Sequence, residues 1–494
     1  MGKLYLSKTQ YCMGISCPRS LWLQKNHPEY AVPSTDMTTR ENGIAVGNLA
    51  KGIFGDYTEV EFSPDKSAMA AQTQALMASG TSVICEASFI YEGLYCAVDI
   101  LKNLGGNRVE IYEVKSVNSL KDIHYDDVSF QTYVLRSCGY EVVSANLVHL
   151  DAGYVRHGDL ELDKLFVIED VTHLTLENET KVRDNLFMIE ETLSRTTEYG
   201  LDICDNCSMA ECQFWGHCTE NLPQPNVFSL NGTGFMKKKK IECYRRGIVS
   251  YEELLSEAGL PERQKRQVEL ELNGGEHIEA KEIRKTLNRL SYPLYFLDFE
   301  TYSVPIPPYD GISPYMQVPF QYSLHYIERE GGELKHTEFL ATPGTDSRRE
   351  LAEQLVHDIP MNVCTTAYHA SFEQKVIEKL AEAFPDLAEH LLNIQSHVED
   401  LEIPFKNQYY MTPEMKGKSS IKFVLPALFP DDPALDYHNL EGVHMGTEAN
   451  AAFLAMANMT PEEQTVVRKQ LLTYCGLDTY AMVKVWQKLN EAVG

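Results

Sequence analysis

The chain has 494 residues, a formal net charge of −27 and 44% hydrophobic residues. That apolar content excludes a disordered chain, and the acidity excludes a general polyanion-coating protein while leaving room for a locally basic site. No run of about 18 apolar residues occurs, so no transmembrane helix is expected. The opening "MGKLYLSKTQ" lacks the apolar core of a signal peptide, and the expected location is the cytoplasm, where twelve cysteines are not read as disulfides. Length suggests about three domains. Composition and patterning place these at 1–220, 221–290 and 291–494, in an α/β (α+β) chain.

In chain order, "NGIAVGNLAKGIF" comes first, at 42–54. Residues 94–116, "LYCAVDILKNLGGNRVEIYEVKS", read as two strands joined by a hairpin turn at Gly105-Gly106-Asn107. Asp99 sits in the first strand. Glu113 and Lys115 sit two apart in the second, on one face. Glu86 precedes them in "ICEASF", and Gln131 follows on the helical "DVSFQTYVL". A surface hairpin with an ion pair would explain Glu113 and Lys115 equally well. The order Asp, then Glu-x-Lys across a hairpin resembles the PD-(D/E)XK nucleases, and Gln131 resembles the glutamine motif of their RecB-like members. The resemblance implies Mg²⁺ ligation by Asp99 and Glu113, with Glu86 as an upstream acid. It makes Lys115 the group that positions or polarises the attacking water. Residues 42–54 resemble the helix that opens that nuclease fold, although its expected metal-binding His is absent, with Gly47 and Asn48 near its place.

Residues 204–218, "CDNCSMAECQFWGHC", hold four cysteines in fifteen residues, too dense for scattered free thiols. One reading is a Zn²⁺ site made of Cys204, Cys207, Cys212 and Cys218. The other adds "CPRSLWL" at 17–23. One cysteine before the nuclease core and three after it resembles the iron–sulfur RecB-like nucleases. That resemblance assigns a [4Fe–4S] cluster to Cys17, Cys207, Cys212 and Cys218, with Cys204 spare and Cys12 a substitute for Cys17.

Residues 221–290 carry 13 Lys or Arg, including Lys237 to Lys240, against 10 Glu and no Asp. Segments such as "YEELLSEAGL" are helical in period. The charges read as a solvated helical face or as a path for nucleic acid.

"YFLDFET" at 295–301 threads Asp298 and Glu300 through an apolar strand, on one face. Phe296 and Phe299 on opposite faces argue for a strand covered on both sides. The carboxylates then read as an edge strand's polar face or as oxygen ligands for Mg²⁺ or Mn²⁺. "AYHASFEQKVIEKL" ends a strand and opens a helix at Glu373, and "LLTYCGLDTYAMVKVWQKL" places Tyr474 and Asp478 four apart on one helix face. This order resembles the DEDD 3′–5′ exonucleases of the tyrosine-bearing branch, which have an RNase H-like fold. The resemblance implies metal ligation by Asp298, Glu300, Glu373 and Asp478 and a catalytic Tyr474. Glu373 stands where an Asp is usual, and Asp400 is a further ligand candidate. A buried, hydrogen-bonded tyrosine is the plainer reading of Tyr474.

Together the parts resemble an uncharacterised bacterial family that fuses a RecB-like iron–sulfur nuclease to a DEDD-like exonuclease. The resemblance implies a metal-dependent nuclease, with a 3′–5′ exonuclease in the C-terminal part and a DNA nuclease in the N-terminal part, acting in repair, recombination or defence. Single-stranded DNA or RNA ends would be its partners, and no membrane. Two alternatives are a nucleic-acid-binding or assembly protein with degraded sites, and a phosphoesterase acting on small molecules.

Overall fold

The segment 94–105 buries Leu94, Cys96, Val98 and Ile100 on alternate positions, as a half-buried strand requires. It pairs with the next strand through Gly105 and Arg108. Gly106 and Asn107 both have positive φ (61° and 62°), so the hairpin closes on a two-residue turn of the kind that only such residues accept cheaply.

The computed structural model describes residues 5–33, 37–198, 200–232 and 235–494. The chain divides into two compact units, Met1–Asn221 with Val304–Met316, and Leu222–Ser303 with Gln317–Gly494. Both mix helices and strands. Among the described residues no helix is long and apolar enough to cross a membrane.

The strands of the first unit are β1 (Leu6–Ser7), β2 (Thr58–Glu59), β3 (Val83–Tyr91), β4 (Leu94–Gly105), β5 (Arg108–Lys115), β6 (Glu141–Leu150) and β7 (Phe166–Asp170). They form one sheet in the order β2-β3-β4-β5-β6-β7, with β1 parallel to β4 off that path. β3, β4 and β5 are antiparallel neighbours, whereas β5 and β6 are parallel. The parallel pair is bridged by the helix Asp122–Ser137. This helix buries Val128, Phe130, Val134 and Leu135, but also Asp127 and Gln131. Buried polar groups on a core helix need partners, and those partners lie on β5. The segment Val304–Met316 is held within this unit: Arg156 Nη1 donates to the carbonyls of Pro307 (3.0 Å) and Pro308 (2.8 Å), and Tyr315 Oη donates to the Ser116 carbonyl at 2.6 Å.

In the second unit the strands are β8 (His277–Ile278), β9 (Leu294–Tyr302), β10 (Val318–Ile327), β11 (Lys335–Leu340), β12 (Cys364–Ala367), β13 (Val398–Asp400) and β14 (Tyr410–Met411). Five of them form a mixed sheet, β11-β10-β9-β12-β13. β9, β10 and β11 are antiparallel neighbours; β9, β12 and β13 are parallel. β9 is therefore central and covered on both faces. Its odd residues Tyr295, Leu297 and Phe299 share a core with Leu351, Leu355, Ile377, Leu380, Leu391 and Ile394 from three helices. Its even residues lie under the helix Pro461–Val493, where the rings of Phe296 and Trp486 meet at 5.8 Å. That long helix starts on a capping box between Thr460 and Glu463, with Pro461 in its first turn.

Residues 237–287 form four helices, and the segment has an apolar cluster of its own around Val227, Tyr251, Leu254 and Val268. It is tied into the second unit by pairing of β8 with β14. Four of its basic side chains donate to backbone carbonyls: Lys240 to Leu230 and Arg266 to Gln408 from half-buried positions, Arg263 to Lys406 and Arg284 to Val493 at the surface.

Candidate active sites

On β9, Asp298 and Glu300 pair with Ser323 and Gln321 of β10. All four stand on the face that the helix Pro461–Val493 covers. The polar residues of β10 are buried and partnered: Gln321 Nε2 donates to the Leu471 carbonyl at 2.9 Å, and the Ser323 and Thr479 hydroxyls share a hydrogen bond of 2.7 Å. A polar stripe on the sheet thus meets a polar stripe on the helix, and the same turns of helix bring Tyr474 and Asp478 over the two acids. One ligand oxygen each from Asp298, Glu300 and Asp478 lies within 4.8 Å of the others; among the described residues no other group of three or more His, Cys, Asp or Glu does so.

The position in the fold fits a binding site. The chain leaves β9 in one direction, to β10 and β11, and returns on its other side as β12 and β13. Ligands of open sheets sit at the carboxyl ends of strands beside such a reversal. Asp298 and Glu300 occupy the carboxyl half of β9. β12 ends at Ala367 and leads, through His369 in a left-handed conformation (φ 70°), into the helix Ser371–Ala383, whose first turn carries Glu373.

Electrostatics set this face apart. Burial, then repulsion from Asp478, Glu300 and Glu373, pushes the Asp298 carboxyl well above the usual range. Burial and Asp478 raise Glu300 to about 8, and burial raises Glu373 to about 8. Burial raises Asp478 only to about 6, because hydrogen bonds from Tyr437 and Tyr474 and the charge of Lys422 oppose it. Tyr437 Oη donates to Asp478 Oδ1 at 2.5 Å. Glu373 Oε2 is buried with no hydrogen-bond partner. Four carboxyl groups crowded into so little solvent repel unless protons or a cation neutralise them. The donor set, hard oxygens with one orphaned, fits Mg²⁺ or Mn²⁺.

Tyr474 is 3% exposed. Burial and the charges of Asp478, Glu300 and Asp298 push its phenol far upward, so it is a hydrogen-bond donor to Asp478 and not a proton acceptor. Asp400 Oδ1 accepts from the backbone N–H of His369 (3.1 Å) and of Glu402 (2.9 Å) and so ties the end of β12 to the end of β13, while its charge adds to the upward shift of Glu373. A cleft of about 240 Å³ opens on the site, lined by Asp298, Asp478, Tyr368, His369, Glu402 and Lys422 among others. Sequence reasoning missed Tyr437, Lys422, His369 and Glu402 as site residues.

In the first unit, Asp99 and Glu113 come from adjacent strands and line a cleft of about 360 Å³ with Glu86, Asn48, Lys51 and Arg40. Glu86 has φ 56° and stands where the β3–β4 register passes over it. Lys115 and Gln131 both bond Glu113 and Asp127. The Lys115 ammonium lies 2.8 Å from Glu113 Oε1 and 2.5 Å from Asp127 Oδ2. Gln131 Nε2 donates to Glu113 Oε2 (2.8 Å) and Asp127 Oδ1 (3.1 Å). A lysine and an amide thus lock one carboxylate. Burial opposes ionisation of Glu113, yet Lys115 and Lys8 together hold it well below the carboxylate range. Asp99, which accepts from the Val114 N–H at 2.7 Å, is raised by burial and by Glu113 to about 7.

Lys8 is the residue that sequence reasoning missed here. Its ammonium lies 2.7 Å from Glu113 Oε1 and 4.0 Å from Asp99 Oδ1. It bridges the two carboxylates that the resemblance assigns to a metal. These carboxylates fit a divalent cation only in competition with that ammonium.

The cysteines gather in the first unit. Cys17 lies between two helices, and its thiol shares a hydrogen bond with Cys204 and lies near Cys207. Cys204 Sγ donates to the Ser16 carbonyl at 3.2 Å. Cys218 neighbours Arg19, Cys212 and Cys207, and burial raises its thiol to about 11. Cys212 and Cys218 pack with Trp22, Leu23 and Phe214, so the N-terminal helices and residues 201–218 share one small core. Cys12 is not with them: it lies beside Asp127, Lys115 and Lys8. Thiols from both ends of the unit are thus neighbours, but among the described residues no three of their sulfurs lie within 4.8 Å of one another.

Among known families, the one described as a domain of unknown function (DUF2779) matches residues 295–420. That stretch takes in Asp298, Glu300, Glu373 and Asp400 and ends before Tyr474 and Asp478. No curated protein matches the chain.

Proposed function

We propose that the second unit is a metal-dependent nuclease that shortens single-stranded nucleic acid from its 3′ end, using Asp298, Glu300, Glu373 and Asp478 to hold Mg²⁺ or Mn²⁺. The observation that carries this reading is the convergence of three carboxylates within 4.8 Å on a buried face, with a fourth whose oxygen has no partner. The mixed sheet, with its first strand central and its second antiparallel to that strand, supports the RNase H-like reading of the fold. When bound, a divalent cation acidifies water and offsets the charge that develops on the phosphoryl oxygens. Tyr437 and Tyr474 hold Asp478 by hydrogen bonds that favour its ionised form. Lys422 faces Glu300 and Asp478 electrostatically and lines the cleft, where it offsets phosphate charge.

The first unit is the second part of the proposal: a RecB-like, PD-(D/E)XK nuclease with Asp99, Glu113 and Glu86 on its cleft, Lys115 and Gln131 fixing Glu113, and a [4Fe–4S] cluster on Cys17, Cys207, Cys212 and Cys218. Zn²⁺ on the 204–218 cysteines is the alternative for that centre. With Lys8 bridging its acids, this site has the weaker claim to activity. A binding or assembly protein with one degraded site is therefore the second reading, favoured by that contact alone.

The test uses anaerobically purified protein, 5′-labelled single-stranded DNA and RNA, and Mn²⁺. Stepwise 3′ shortening by the wild type and by Glu113→Ala, lost in Asp298→Ala, is the expected result. A wild type that binds both substrates and cuts neither would leave the binding-protein reading in its place.

A further inference from the structure

Phosphodiester cleavage leaves a 3′-oxygen that must gain a proton, and the acids of the second unit, ionised when they hold a cation, do not supply it. The hydroxyls nearest Asp478, those of Tyr437 and Tyr474, already donate to its carboxylate. The Tyr368 hydroxyl donates to the Ser419 carbonyl at 2.6 Å. One side chain of the cleft is held differently. His369 Nδ1 lies 2.9 Å from Glu402 Oε2. The Ser419 hydroxyl donates to Glu402 Oε1 at 2.7 Å, and Lys406 Nζ stands 3.7 Å from Oε2. A carboxylate with those donors makes Nδ1 the N–H side of the ring and leaves Nε2 to exchange a proton. Glu402 is buried, His369 is half-exposed, and both line the cleft that also contains Asp298 and Asp478. The left-handed backbone of His369 is conformationally costly for a non-glycine residue.

We infer that His369, held by Glu402, is the general acid that protonates the leaving 3′-oxygen at the Asp298–Glu300–Asp478 site. The inference rests on the exonuclease reading proposed above. In the step, a water oxygen forms a new bond to phosphorus as the bond from phosphorus to the 3′-oxygen breaks. The electron pair of the broken bond stays on the 3′-oxygen, which takes the proton from Nε2 of the imidazolium. His369 is left neutral with Nδ1–H on Glu402 and regains a proton from solvent, and the attacking water loses its proton to solvent. Glu402 is a positioning residue: it fixes the ring and its tautomer and does not touch the substrate.

A leaving group that needs no proton separates this role from a structural one. Single-stranded oligonucleotides are made with either the natural terminal linkage or one in which sulfur replaces the bridging 3′-oxygen, since a thiolate leaves without an acid. The variant is His369→Asn, because Asn tolerates the left-handed backbone better than other residues. An unchanged Mn²⁺-induced rise in melting temperature shows that its site is assembled. Wild type, His369→Asn and Glu402→Gln are compared by kcat with Mn²⁺. The expected result is a fall of roughly 10²- to 10⁴-fold for His369→Asn on the natural linkage and about threefold or less on the sulfur linkage. Glu402→Gln should show a smaller defect that the sulfur linkage also suppresses. Equal defects on both linkages, or none on either, would overturn the role of His369 while leaving the exonuclease intact. A wild type that cuts neither linkage would overturn both.

Discussion

Replacing Glu300 by Gln should flatten the pH dependence of stability in the metal-free protein. The native carboxyl keeps its proton up to about pH 8 because burial and Asp478 disfavour its charge, whereas the ordinary value is 4.5. Between those values the native state holds a proton that the unfolded chain has released. Stability from this group is therefore full below the unfolded value and is lost as pH rises towards 8. One proton changes stability by about 1.4 kcal/mol per pH unit, so between about pH 5.5 and pH 7.5 the loss is roughly 2.7 kcal/mol. At about 2–4 °C per kcal/mol for a unit of this size, the melting temperature should fall by roughly 5–10 °C from this group. The assay is thermal unfolding of chelator-treated wild type and Glu300→Gln at both pH values. Gln cannot ionise, so the variant should lose that part of the slope and be the more stable protein at the higher pH. Saturating Mn²⁺ should stabilise the wild type more at pH 7.5 than at 5.5, since binding requires the ionised form. The reasoning is refuted if both proteins keep the same slope, because Glu300 would then ionise freely in the native state.

Three further outcomes are expected. Lys8→Met, in an Asp298→Asn background, should tighten Mn²⁺ binding at the first unit by roughly tenfold, read by electron paramagnetic resonance, because an ammonium no longer competes for Asp99 and Glu113; unchanged affinity with a lower melting temperature would make Lys8 a structural bridge. Tyr437→Phe removes the 2.5 Å hydrogen bond that helps hold Asp478 near 6, so Mn²⁺ binding to the second unit should weaken about tenfold near pH 6.5 and less near pH 8, and an equal loss at both would refute the proton competition. Iron and zinc analysis of single Cys→Ser variants should show metal lost from Cys17→Ser and Cys207→Ser and retained in Cys204→Ser; metal retained in Cys17→Ser and lost from Cys204→Ser would favour zinc on the 204–218 set.

The features legible in the sequence are those fixed by local periodicity. Period-two spacing put Asp298 and Glu300 on one face, period 3.6 put Tyr474 and Asp478 on another, and glycines marked the hairpin that sets Asp99 and Glu113 on neighbouring strands. What covers those side chains was not legible. Lys8 reaches Glu113 across 105 positions and Tyr437 reaches Asp478 across 41, and no local pattern encodes such a meeting. Lys115 shows the same limit. Its spacing from Glu113 is that of the motif, but its hydrogen bonding is set by Asp127 on a helix that only the tertiary fold brings near. The basic run of 221–290 shows the limit of a charge count, which cannot tell the exposed Lys237, Lys238 and Lys239 from Lys240, turned onto the Leu230 carbonyl.

The helix Pro461–Val493 supplies half of what surrounds β9, and it is made long after that strand. Cys475, whose thiol approaches the Asp298 carboxylate at 3.7 Å, follows it by 177 residues. A ribosome therefore releases the two strand acids long before their third partner, and a chain arrested in between holds Asp298 and Glu300 open to water with nothing to converge on. Under the proposed function, synthesis itself delays hydrolytic capacity until the whole sheet has been roofed, and a protease that clips the helix Pro461–Val493 would switch the centre off without touching β9.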